Sequence, residues 1–98
     1  MITREDAIKI ADEYLKSKSE KSKYEFVLLT DAIKEFEYGW IFFYQNKKYL
    51  ETGDEMHLLG GNGPIVVNKF DGSIFKLGTA RKPGYYIEEY IKLMGLKD

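Results

Sequence analysis

Residues 37–51, EYGWIFFYQNKKYLE, carry the reading that decides the fold. Glu37-Tyr38-Gly39 is a short turn signal, with Gly39 free to take positive φ. WIFFYQNKKYLE then reads as a strand over 40–50. Side chains alternate across a strand, so Trp40, Phe42 and Tyr44 project to one side and Ile41 and Phe43 to the other. Upstream, YEFVLLT at 24–30 is a short apolar run of β-formers, an inner strand by its composition. DAIKEF prolongs it imperfectly through Ala32 and Phe36. Downstream, PIVVNKF is a third strand over 65–70, with Pro64 at its start, where a missing N–H does least harm. Asp71-Gly72 is a tight-hairpin signal, and SIFKLG returns as a fourth strand over 73–78.

Helices flank these strands. Thr3 with Asp6 forms a capping-box pattern, and Ile2 with Ala7 occupies the positions of a hydrophobic staple. Ala7, Ile8, Ala11, Tyr14 and Leu15 recur at helical spacing, which predicts a helix over 3–18. That stripe is small in volume, so it calls for a sheet to supply the bulk of the core. Ile87, Tyr90, Ile91 and Met94 predict a closing helix over 85–94, with Gly95 as its C′ residue. The order α-β-β-β-β-α describes one α+β domain over 1–98. Two hairpins form a four-stranded antiparallel sheet, and both helices segregate to a face of it.

Composition narrows the function. Fifteen basic and sixteen acidic residues leave a net charge of −1, without the basic footprint of a nucleic-acid binder. The lysine-rich piece KSKSEKSK at 16–23 reads as a solvated helix end. There are no cysteines, which rules out disulfides and cysteine zinc sites, and one histidine cannot build a multi-histidine site. The N-terminus lacks a signal-peptide core, and no apolar run is long enough for a membrane helix. A cytoplasmic protein without a cofactor is the expectation.

The stretch ETGDEMHLLGGNGP at 51–64 concentrates the remaining chemistry. As a phosphate cradle it lacks G-x-G-x-x-G spacing, and a proline and strand follow it rather than a helix. Asp54, Glu55 and His57 supply acid–base residue types but too few ligands for a metal centre. A blander reading has Asp54 capping a helical turn and His57 facing solvent. Trp40 reads as core. With eight tyrosines some must be exposed, and exposed tyrosine suits protein interfaces.

Taken in order, Gly39-Trp40 before an aromatic strand, YLETGD at 49–54, Leu59-x-Gly61-Asn62-x-Pro64, Asp71-Gly72 and Gly78-Thr79-Ala80 resemble the YrhB-like family, also called the immunity protein 35 family. The chain departs from it only in an additional Gly60 and a lysine-rich linker after the first helix. The resemblance implies a small bacterial α+β protein that binds a cognate toxin in the producing cell and blocks it without catalysis. Gly39, Trp40, Gly61, Asn62, Gly63, Pro64, Gly78 and Thr79 are then structural signature residues, with Asn62 or Gly63 setting a special backbone turn. Asp54, Glu55, His57 and Tyr44 are the candidate partner contacts, the carboxylates steering association with a basic toxin site. A chaperone-like protein-binding module and an enzymatic or small-molecule site at Asp54 and His57 are the competing readings.

Overall fold

The computed structural model describes residues 1–22, 24–53 and 63–97. The N-terminal helix α1 spans Arg4–Glu20. Its capping box is complete: Asp6 N–H donates to Thr3 Oγ1 at 3.1 Å, and Thr3 N–H donates to Asp6 Oδ2 at 3.2 Å. Two otherwise orphaned N-terminal donors are thereby satisfied, and Glu5 and Asp6 also oppose the positive end of the helix dipole.

Next come β1 (Phe26–Leu28), a single 3₁₀ turn (Thr30–Ala32), β2 (Lys34–Phe36), β3 (Gly39–Phe42) and β4 (Tyr44–Asn46). The first hairpin is therefore longer and more broken than two simple strands. Phe36 pairs with Gly39 and Lys34 with Ile41, then Leu28 pairs with Tyr44. Lys34 lies six positions after Leu28, whereas Tyr44 lies three after Ile41. The 3₁₀ turn absorbs the excess on one arm, and the other arm breaks at Phe43, whose carbonyl accepts from Leu29 N–H at 2.9 Å. In place of the single four-stranded sheet expected, β1 and β4 form a two-stranded sheet, and a four-stranded antiparallel sheet runs β2-β3-β5-β6, with β5 at Ile65–Asn68 and β6 at Ile74–Lys76.

The strand expected over 40–50 also ends early. Lys47–Thr52 is a short helix, α2. Asn46 caps it, its side-chain Oδ1 accepting from Lys48 N–H at 3.0 Å, and Gly53 closes it in the left-handed conformation at φ 69°. The last helix, α3, spans Pro83–Lys97. Proline starts it where a missing N–H is harmless. Gly95 lies inside this helix rather than after it.

The alternation read from β3 holds. Trp40, Phe42 and Tyr44 join Ile65 and Val67 in one core cluster, beneath Ala7, Ala11 and Leu15 of α1. Ile41 and Val66 join Leu77 and Tyr90 in a second cluster, with Phe43, Ile87 and Met94 packed against it. The helices therefore cover opposite faces, not one face. The physical reason lies in β3 and β5: both are buried at every position, so each face of the sheet needs its own cover. Each large side chain removed from water here, such as Phe42 or Ile65, contributes about 1.5–3 kcal/mol.

Candidate functional site

The signature glycines act through close approach. Gly39 is buried, and a Cβ there would overlap the Val67 carbonyl of the neighbouring strand. Its φ is not positive; among the described residues only Gly53 and Gly72 are left-handed. Gly63 behaves alike: its Cβ would overlap the Leu77 carbonyl, while Leu77 N–H donates to the Pro64 carbonyl at 2.9 Å. Gly63 and Pro64 thus launch β5 directly alongside the end of β6. At Gly78 a Cβ would meet the Tyr86 ring at 2.7 Å, so the missing side chain seats that ring. The Tyr86 hydroxyl in turn accepts from Arg81 N–H at 3.1 Å. Thr79 is exposed in the bend that follows, and Gly61 and Asn62 lie outside the described residues.

Trp40 is 5% exposed. Lys69 Nζ stands 5.4 Å from the centre of its ring and 3.1 Å from Glu35 Oε2. The hydrogen bond and charge of Lys69 hold the Glu35 carboxyl below its usual range. Together these residues form a small lid of a cation, an anion and an aromatic ring at the sheet surface.

Tyr44, expected as a partner contact, lies instead in the core. It is 8% exposed and makes an edge contact with Phe26 at 5.8 Å. Burial, with a smaller contribution from Tyr14, pushes its hydroxyl up to about 12. Among the described residues that hydroxyl has no hydrogen-bond partner, nor does Asn46 Nδ2. Asp54, Glu55 and His57 lie outside the described residues. Among the described residues, no three metal-ligating side chains gather into a group, and no helix is long and apolar enough to cross a membrane.

Two features suited to protein contact were not legible from spacing alone. A cleft of about 800 Å³ runs between α1 and the segment entering β1. Leu15 and Phe26 line it together with Asp12, Glu13, Lys16 and Tyr24, giving a largely polar lining of mixed charge with a small apolar part. Elsewhere, Phe70, Phe75, Tyr85 and Leu93 are exposed. Phe75 touches Tyr90 at 5.1 Å between ring centres, so the exposed aromatic surface continues into the α3-side core. Exposed rings on a rigid sheet and helix are the residue type that dominates protein interfaces.

The profile of the family described as immunity protein 35 matches residues 5–92, from the first turn of α1 to well into α3. The chain belongs to the immunity protein 35 family. It is also 34% identical over 90 residues to a protein of Escherichia coli strain K12 described as uncharacterized protein YrhB, covering 92% of this chain and 89% of that relative. No solved structure matches the chain. The immunity protein 35 match includes Gly39, Gly63 and Gly78, whose missing side chains admit a neighbour.

Proposed function

We propose that this chain binds and neutralises a cognate bacterial toxin in the cytoplasm of the cell that makes both, without catalysing a reaction. The observation that carries this reading is the immunity protein 35 match over residues 5–92. The exposed rings of Phe70, Phe75 and Tyr85 support a protein partner, since rigid aromatic side chains lose little entropy on docking. Asp54 and Glu55 are assigned a steering role: carboxylates at an interface rim raise the rate of encounter with a basic toxin surface.

The test is co-purification from the source bacterium with identification of the bound toxin domain, followed by a toxicity rescue. Stoichiometric binding and rescue are expected. Promiscuous suppression of aggregation without one specific partner would replace this reading with a chaperone-like one. For the steering role, Asp54→Asn with Glu55→Gln should slow association at low salt and flatten its salt dependence, leaving dissociation nearly unchanged. Unaltered association would remove the steering role and leave neutralisation standing.

A further inference from the structure

We propose that the outer edge of β6 accepts an extended segment of the partner protein as an added strand, one whose side chains alternate between acidic and apolar. This rests on the protein-binding reading above and names the surface and the partner chemistry.

The first observation is backbone geometry. β6 pairs with β5 alone, so it is an edge strand among the described residues. Leu77 N–H donates to the Pro64 carbonyl and Asn68 N–H to the Ser73 carbonyl, both at 2.9 Å. Hydrogen-bonded pairs recur every second residue of an antiparallel ladder, so Ser73, Phe75 and Leu77 direct their polar groups inward. The N–H and C=O groups of Ile74 and Lys76 therefore face outward. An extended chain binds such an edge through the main chain, and pockets for alternate side chains provide the selectivity.

The second observation is what flanks the edge. On the α3 side lies Phe75, 40% exposed and in a tilted ring contact with Tyr90. On the α1 side lie Ile74 and Lys76, the latter paired with inward-facing Ile65. Lys18 of α1 reaches the same side, its Nζ 5.7 Å from the centre of the Phe26 ring. Burial lowers its pKa first, and the neighbouring charge of Lys76 lowers it further. Neither lysine has an acidic partner among the described residues, where the ion pairs are Lys47–Glu25, Lys69–Glu35 and Lys92–Glu89. Two ammonium groups that repel each other are stabilised by an incoming carboxylate. They disfavour a second copy of this chain, because self-pairing of β6 would crowd the lysines of both copies.

The experiment uses the whole chain with a capped synthetic peptide alternating valine and glutamate, and a counterpart alternating valine and lysine. Amide NMR follows the outward donors of Ile74 and Lys76. The glutamate peptide is expected to shift both amides and slow their exchange at least about tenfold, with binding that weakens as salt rises; the lysine peptide should do neither. Lys76→Pro removes an outward N–H while sparing the inward bonds of Phe75 and Leu77, and proline is tolerated at that kind of position. It should abolish both effects. If that variant does not fold, Lys76→Glu serves, and it should reverse the preference between the peptides. Shifts confined elsewhere, equal response to both peptides, or concentration-dependent dimers paired through β6 would overturn the proposal. With the toxin recovered as above, Lys76→Pro should weaken binding at least about a hundredfold. Unchanged toxin affinity overturns the edge proposal and leaves neutralisation intact. A wild-type chain that seats the glutamate peptide at β6 but binds no toxin upholds the edge and overturns neutralisation.

Discussion

The side-chain amide of Asn68 donates to the Tyr90 hydroxyl at 2.9 Å, and this bond fastens α3 to the centre of the sheet. Asn68 is 5% exposed, and its Oδ1 also accepts from Phe70 N–H at 2.8 Å in the turn leading to β6. One buried amide thus holds both a helix and a hairpin turn. Tyr90→Phe keeps the ring contacts with Phe36, Tyr38 and Phe75 but leaves Asn68 Nδ2 with only the weak acceptor Met94 Sδ at 3.8 Å. An unsatisfied buried donor should lower stability by about 1–3 kcal/mol, read from the urea midpoint at unchanged slope.

Gly39→Ala and Gly63→Ala should each destabilise, by about 1–3 kcal/mol or more, because the added methyl overlaps a neighbouring strand's carbonyl. Gly53→Ala tests a different cause. Nothing among the described residues crowds that position, but its φ of 69° disfavours a side chain, so its cost should be about 1 kcal/mol. Thermal melts of the three variants should rank Gly53→Ala as the mildest. The reverse order would mean that the neighbouring strands give way to the added methyl, so that close approach does not select glycine at 39 and 63.

That contrast also explains how far the fold was legible. Thr3 and Asp6 meet across one turn of chain, so their capping box stands in the local sequence. The two sides of β3 follow from alternation alone. Gly39 and Gly63 contact residues 67 and 77, and no local pattern reports such an approach; both were expected to serve turns. KKYLET continues the aromatic strand only by weak local preference, while Asn46 at the N-cap and Gly53 after the last turn are the helix signals it carries. The single-sheet expectation failed because a three-residue excess in one hairpin arm is invisible without the pairing register. Among the expected partner contacts, Tyr44 was named for residue type. Its side of the strand, shared with Trp40 and Phe42, already pointed to the core.

Trp40→Ala should lower stability by about 3–5 kcal/mol, since the ring is almost fully buried in the α1-side cluster. Trp40→Phe keeps an aromatic ring and much of the volume, so it should cost well under half as much. Urea unfolding of both variants checks this. Equal losses would assign the effect to the Lys69 contact rather than to packing.

Tyr44 provides the pH-dependent prediction. Its hydroxyl titrates at about 12 in the folded chain, against 10.0 for an ordinary tyrosine, because burial disfavours the phenolate. A raised folded pKa means that the folded state keeps its proton while the unfolded state loses it. The contribution of this group is therefore fully present below pH 10.0 and is lost as the pH rises from there through about 12. Tyr44→Phe removes the titration and also a buried oxygen that has no partner among the described residues. At neutral pH the variant should be as stable as the parent or more stable by about 1 kcal/mol, and its advantage should grow across the alkaline window. Chemical melts at neutral and alkaline pH measure both parts. An advantage that stays constant as the pH rises would show that Tyr44 ionises in the folded chain at the ordinary value, and so that water reaches its hydroxyl.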